Sequence, residues 1–131
     1  MVLVDASVWI IAQRTKVPLA SLLPAAEAPA TCPMIVQEVL RGTRDAAHYE
    51  LTRRVLLAAE MLDETTPFER FAEAARVFLA CREAGITPRS SVDCLIVATA
   101  IAHGMPLLHD DRDFTHMERV LPLRTLRVTR S

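Results

Sequence analysis

The sequence predicts an α/β sandwich on a mostly parallel sheet: short apolar runs of strand length alternate with longer helical stretches, and parallel strands need such crossovers. Two further observations agree. At 131 residues and 14.5 kDa the chain has the size of one ordinary domain, and no low-complexity linker divides residues 1–131. A hydrophobic fraction of 51% beside 24% charged residues supplies a packed core and excludes a disordered tail, a disulfide-held miniprotein and a repeat array.

The elements follow in order. Met1-Val2-Leu3-Val4 is an apolar, β-branched run expected as a buried strand, ended by the polar turn Asp5-Ala6-Ser7 before helical spacing begins at Val8-Trp9-Ile10. Pro18, Pro24 and Pro29 punctuate the next stretch, leaving a short helix around Leu19, Leu22 and Leu23 and a second strand at 30–32. Pro33 suits the first turn of a helix and Gly42 its end; Ile35, Val36, Val39 and Leu40 recur at helical spacing, leaving Gln37, Glu38 and Arg41 on other faces. From 45 to 62 the spacing predicts one long helix with Leu51, Val55, Ala58 and Leu62 inward and Arg53 and Glu60 outward. Residues 63–67 form a connector, with Thr66 expected to cap a helix that runs to 84 and stops at Gly85. Ser90 is the expected cap of the next helix, which ends near His103, with Asp93 at the capping-box position. A strand over 105–109, an acidic turn Asp110-Asp111-Arg112-Asp113, a brief helix over 114–120 and a last strand over 123–128 complete the chain.

Composition excludes several functions. Fifteen basic and 16 acidic residues give a formal net charge of −1, so nucleic acid is not coated by bulk positive charge, though a local basic surface is compatible. With only three glycines no Gly-rich phosphate loop can be assembled, which removes support for ATP, GTP or NAD chemistry. Cys32, Cys81 and Cys94 are odd in number and widely spaced, as expected of a reduced cytoplasmic protein; neither a secretory leader nor a membrane span is evident. His48, His103 and His116 have no Cys/His ligand spacing around them, which argues against structural zinc.

Acids fall where elements end or where the pattern is apolar. Asp5 ends the first strand, Glu38 lies within the 33–41 helix, Asp93 opens a helix, and Asp111 follows the 107–109 strand. Each has a local explanation: Asp5 as a helix cap, Glu38 as a partner of Arg41, Asp93 as a capping-box acid, and Asp110, Asp111 and Asp113 as a charged turn. Jointly they say more. Strand ends at the carboxyl edge of an open α/β sheet are the usual ligand site, and carboxylates gathered there repel unless a cation neutralises them. Hard oxygen ligands suit Mg²⁺ or Mn²⁺, which would favour phosphoryl chemistry through a metal-activated water. Ser7 either orients Asp5 or a metal-bound water, or caps the following helix. Arg112 either contacts phosphate or neutralises the acidic turn, and His109 is expected to be structural or exposed.

Four segments carry a resemblance: Val2-Leu3-Val4-Asp5-Ala6-Ser7-Val8-Trp9-Ile10, Pro33-Met34-Ile35-Val36-Gln37-Glu38-Val39-Leu40-Arg41-Gly42, Ser91-Val92-Asp93-Cys94-Leu95-Ile96-Val97-Ala98 and Leu107-Leu108-His109-Asp110-Asp111-Arg112-Asp113-Phe114. In order and separation they resemble the signature segments of PIN-domain ribonucleases, most closely the VapC toxins of type II toxin–antitoxin systems. The resemblance implies a PIN-like three-layer sandwich and catalytic acids at Asp5, Glu38, Asp93 and Asp111, with Asp113 as a further acid near the metal and Ser7 as the accompanying hydroxyl. His109 departs from the threonine common in relatives.

The implied activity is a Mg²⁺- or Mn²⁺-dependent endoribonuclease cutting structured RNA, commonly transfer RNA or a ribosomal RNA loop, to leave 3′-hydroxyl and 5′-phosphate ends. Also implied are a homodimer and a VapB-like antitoxin that obstructs the acidic pocket in a higher hetero-oligomer and itself binds operator DNA. On this reading Asp5, Asp93 and Asp111 hold one ion, while Glu38 and Asp113 ligate through water or hold a second.

RNA would need basic surface, and all the basic residues except Lys16 are arginine; Arg119, Arg124, Arg127 and Arg130 lie in the last stretch. Trp9, Phe68 and Phe71 are options for base stacking, with core or partner contact the plainer assignment, and the helices over 45–84 suggest a groove for an antitoxin helix. Competing readings are a phosphotransferase using Asp5 as nucleophile, disfavoured by Ser7 and the single lysine, a non-catalytic RNA-binding scaffold, and an RNA-maturation nuclease.

Overall fold

The computed structural model describes residues 1–128, so Arg130 lies outside the described residues. Five strands form the sheet: β1 (Val2–Val4), β2 (Pro29–Thr31), β3 (Glu60–Met61), β4 (Leu107–His109) and β5 (Thr125–Arg127). Six α-helices connect them: α1 (Ala6–Thr15), α2 (Pro33–Arg41), α3 (Ala46–Leu57), α4 (Phe68–Glu83), α5 (Ser91–Ala102) and α6 (Arg112–Glu118), with one 3₁₀ turn at Leu19–Leu22. None of these helices is long and apolar enough to cross a membrane.

Every strand pair is parallel and the order is β3-β2-β1-β4-β5. The chain therefore winds outward from β1 to β3, crosses back, and winds the other way from β4 to β5. Right-handed crossovers then place α1 to α3 over one face and α4 to α6 over the other, giving three layers. In agreement, α1 packs on α2, α2 on α3, and α4 on α5. Winding reverses between β1 and β4, which are neighbours in register, Leu3 opposite Leu107 and Val4 opposite Leu108. Chain segments leave this pair to opposite sides, so a crevice opens beyond their carboxyl ends.

The core explains the periodicities. Val2, Leu3, Val4, Leu107 and Leu108 are buried as central parallel strands require. Helix α5 is buried continuously from Cys94 to Ala100, so it is apolar all round rather than amphipathic, and Asp93 is the acidic residue of its first turn.

The long helix expected over 45–62 is shorter. Helix α3 ends at Leu57 and the chain turns through Ala58 and Ala59 into β3. Leu62 N–H then donates to Thr31 O at 2.8 Å, extending the pairing with β2. No glycine or proline marks this stop; pairing along the sheet edge overrides the helix propensity of Ala58 and Ala59. The expected inner stripe is also displaced. Thr52 and Leu56 are the buried residues of α3, whereas Leu51 is 62% and Val55 49% exposed. Thr52 is held by Gln13, whose Nε2 donates to its Oγ1 at 3.2 Å.

One pair of alternatives is decided and two end signals are corrected. Of Asp5 and Ser7, both read as possible caps, Asp5 caps α1, accepting from Ser7 N–H at 3.1 Å. Pro67 occupies the cap of α4, and Thr66 instead donates its hydroxyl to Asp63 O at 2.9 Å. Helix α6 begins at Arg112 rather than 114, because Asp111 accepts from Asp113 N–H at 2.9 Å and turns the acidic stretch into a helix start. The last strands are trimmed to Leu107–His109 and Thr125–Arg127.

Candidate active site

The site is built at the reversal between β1 and β4. Asp5 leaves β1 with 6% exposure, its Oδ2 accepting from both Ser7 N–H at 3.1 Å and Ser7 Oγ at 2.6 Å. Ser7 Oγ accepts in turn from Asp110 N–H at 3.1 Å, tying the end of β1 to the end of β4. One hydroxyl thus fixes the Asp5 carboxylate and the loop that carries the acidic turn. Of the two expectations for Ser7, orienting Asp5 is the one realised.

Asp93 comes in from α5. Ser90 caps that helix by accepting from Val92 N–H at 3.1 Å. The expected capping box is not made among the described residues: Ser90 accepts from Val92 rather than from Asp93 N–H, Ser90 N–H donates nothing to Asp93, and the Asp93 carboxylate lies instead with Asp111 and Asp113. Its pKa is raised to about 7, by burial first and then by Asp5, Glu38, Asp111 and Asp113. That list is a proximity statement: four carboxylates from three separate parts of the chain press on one group.

Glu38 is raised by burial and then by Asp5, with Arg41 opposing. The expected Glu38–Arg41 ion pair is not made among the described residues, and Glu38 Oε1 is buried with no hydrogen-bond partner. Asp5 is likewise raised, chiefly by burial and against the hydrogen bonds from Ser7 and Ala6. Asp93, Asp111 and Asp113 each bring one oxygen within 4.8 Å of the others. An orphaned buried oxygen, several carboxyls held above their ordinary range and three convergent oxygens form a donor set suited to a hard divalent cation.

His109 is fully buried and structural. Its Nδ1 accepts from Asp111 N–H at 3.1 Å and its ring sits 5.3 Å from that of Phe114, tilted by 59°. Burial, then Arg127, hold its pKa below the ordinary value, so the neutral ring serves as a fixed acceptor that sets Asp111. Trp9 belongs to the core, donating Nε1–H to Val4 O at 3.2 Å, whereas Phe68 is 81% exposed. The three thiols are buried and free, Cys94 with its pKa pushed up to about 11 by burial.

Sequence reasoning missed Arg89. Its Nε donates to Asp113 Oδ2 at 2.7 Å and its Nη2 to Asp111 Oδ2 at 3.1 Å, so Arg89 neutralises the acidic turn and the exposed Arg112 does not. The available signal was a basic residue directly before the Ser90 cap. Arg127 pairs with Asp110 at 3.5 Å, and Arg119 and Arg124 are exposed.

Two apolar grooves lie on the helical layers, the first of them beside the start of α5 that carries Asp93. One, about 640 Å³, lies between α4 and α5 against Met34 and is lined by Phe71, Ala74, Phe78 and Leu95. The other, about 410 Å³, lies between α1 and α3, where Val17, Leu51 and Val55 make an apolar floor beside Lys16 and Arg44.

Comparison with known proteins agrees with the geometry. The PIN domain family model matches residues 2–120. The chain is 34% identical over 130 residues to Ribonuclease VapC11 of Mycobacterium tuberculosis and to VapC ribonuclease Mb1587 of Mycobacterium bovis, covering 95% of this chain and 96% of each relative. Among solved structures it is similar to VapBC2 from Rickettsia felis bound to a promoter DNA fragment, with a TM-score of 0.78 at 15% identity, covering 98% of this chain and 100% of the other. It is also similar to the sarcin-ricin loop cleaving toxin VapC20 of Mycobacterium tuberculosis, with a TM-score of 0.67 at 15% identity and 95% and 99% coverage.

Proposed function

This chain belongs to the PIN domain family, and from that premise we propose that it is an endoribonuclease toxin, dependent on Mg²⁺ or Mn²⁺, that cuts structured RNA in the cytoplasm. The observation that carries the reading is the convergence of Asp5, Glu38, Asp111 and Asp113 on Asp93, which burial and its neighbours raise to about 7. Acids so placed are ionised together only in the presence of positive charge.

Asp5, Asp93 and Asp111 would hold one divalent ion, with Glu38 and Asp113 reaching it through water or holding a second. When bound, the ion neutralises charge on the scissile phosphate and lowers the pKa of a water. The protein's own contribution is placement. Ser7 fixes Asp5 and the 110 loop together, His109 fixes Asp111, and the Ser90 cap presents Asp93. In-line attack by water needs no protein nucleophile and leaves 3′-hydroxyl and 5′-phosphate ends. Asp5 is a poor nucleophile for a phosphotransferase, being 6% exposed with Oδ2 held twice by Ser7.

The partner is a VapB-like antitoxin. Its helix finds in the α1–α3 groove the apolar floor and basic rim that an amphipathic, acidic-edged segment requires. The exposed Phe68, Phe71 and Leu79 on α4 offer a second apolar face, which we assign to the homodimer.

Sequencing of RNA 5′-phosphate ends after a brief pulse of the wild-type chain, beside Asp5→Ala, tests the reading. New ends at a defined RNA site with wild type and none with Asp5→Ala are expected; equal ends from both refute the assignment. Growth arrest relieved by the neighbouring gene's product separates a toxin from an RNA-maturation enzyme.

A further inference from the structure

Arg89 stands on the acid cluster, where it neutralises the turn, and the proposed cleavage makes no use of it. Its Nε donates to Asp113 Oδ2 at 2.7 Å and its Nη2 to Asp111 Oδ1 and Oδ2 at 3.2 and 3.1 Å. The side chain is 72% exposed while those of Asp111 and Asp113 are 28% and 21% exposed, so the guanidinium covers the two acids from the solvent side. Nη1 makes no hydrogen bond among the described residues.

Two consequences follow from charge and shape. The oxygens that Arg89 engages belong to the same Asp93, Asp111 and Asp113 group whose oxygens converge within 4.8 Å. A guanidinium and a divalent ion cannot both sit on them without strong repulsion, so the two compete. A phosphodiester presents a pair of oxygens much as a carboxylate does, and the planar fork of arginine fits either. Arg89 precedes the Ser90 cap, outside the helix, and its side chain is exposed, so its head can change partners while α5 and Asp93 stay in place.

We propose that Arg89 is an exchangeable counter-charge, pairing with Asp111 and Asp113 until a divalent ion takes those acids and then transferring to a phosphate oxygen of the RNA. This rests on the nuclease reading for the identity of the ligand. It gives the site an order of events: the residue that keeps the acids neutral is released as a phosphate contact by the ion that cleavage requires. An acidic crevice thereby acquires a positive group for a polyanion at the moment it is needed.

Calorimetric titration of Mn²⁺ into RNA-free wild type, Arg89→Gln and Arg89→Lys, paired with cleavage kinetics at saturating Mn²⁺, tests the exchange. Arg89→Gln removes the competitor and is expected to bind Mn²⁺ about three- to tenfold tighter, the range set by the modest strength of exposed ion pairs. The same variant is expected to cleave roughly tenfold more slowly with a raised KM for RNA, for want of a charged phosphate contact. Arg89→Lys, which keeps the charge and loses the fork, falls between the two in both measurements, and it supplies the discrimination if Arg89→Gln melts early.

A structural clamp gives the opposite sign, because acids left to splay bind Mn²⁺ more weakly. Unchanged or weaker Mn²⁺ binding in both variants overturns the exchange, and wild-type cleavage by Arg89→Gln overturns the phosphate contact. If wild type itself neither binds Mn²⁺ nor cuts RNA, the nuclease reading falls and this inference with it. A wild type that does both while the variants fail these expectations leaves the nuclease and removes only the role of Arg89.

Discussion

Two acid-rich regions of this molecule behave in opposite ways. At the connector into α4, Asp63 accepts from Arg70 Nε at 2.7 Å and contacts His103 Nε2 at 2.9 Å, and Arg70 reaches on to Glu73 at 2.6 Å. Burial pushes the Asp63 carboxyl up, yet the hydrogen bonds from Arg70 and His103 outweigh it and the net shift is downward. At the β1–β4 crevice, Asp5, Glu38 and Asp93 are all shifted upward, and Arg89 reaches only Asp111 and Asp113. Paired acids clamp elements together; the first set fastens the β3–α4 connector to the end of α5. Underpaired acids cost stability and wait for a cation. The balance of charge within contact distance, rather than acidity itself, separates a structural cluster from a ligand site.

Substitution at each centre gives the sharpest break. Asp93→Asn is expected to reduce metal-dependent cleavage on the order of a thousandfold, the usual scale for losing a group that organises the metal or the transition-state charge. The same change relieves repulsion, so the melting temperature of the metal-free protein rises near pH 8 instead of falling, measurable by thermal circular dichroism. A fall would place Asp93 with the clamps.

Asp63→Asn is the mirror experiment. Asparagine tolerates the left-handed backbone at this position, where φ is 53°, so the substitution isolates the charge. Leaving the half-buried Arg70 with Glu73 as its remaining charged partner is expected to cost about 1 kcal/mol and to lower the melting temperature by about 4 °C, with cleavage per folded molecule kept within about twofold. Loss of cleavage without loss of stability would assign Asp63 to the site instead.

Proton linkage separates the regions more gently. A raised carboxyl favours the protonated folded state, so its contribution is present in acid and lost as pH rises through the folded value, about 7 for Asp93. The metal-free protein is therefore expected to melt a few degrees lower at about pH 8 than at about pH 6, and Mg²⁺ to restore more at the higher pH. The depressed Asp63 has the opposite sign: its contribution is present above the ordinary carboxylate range and is lost as pH falls through its lowered pKa. Equal Mg²⁺ stabilisation at both pH values would show that Asp93 is not among the ligands.

Much of the fold was legible in the sequence, for reasons visible in single residues. The Val2–Val4 run, Pro33 before an apolar helix and Gly85 after another are local signals, and strand and helix formed where they stood. Strand β3 was not legible, since Glu60 and Met61 carry no strand signal and become a strand only because β2 offers a free edge. The inward face of α3 was misread for a related cause. Thr52 is buried because Gln13 on α1 meets its hydroxyl, a contact that helical spacing cannot anticipate, while the more apolar Leu51 and Val55 are left outside over a groove.

By itself the sequence determined the alternation of strands and helices and the positions of the acids, because periodicity and end signals act over a few residues. Tertiary structure alone decided which charges meet. Asp5, Glu38, Asp93 and Asp111 are distant along the chain and gather because the winding reverses between β1 and β4, which turns their elements toward one crevice. The same packing brought Arg89 onto Asp111 and Asp113, and Arg70 and His103 onto Asp63. Coulomb energy depends on separation in space and on burial, and neither is a property of the residue order.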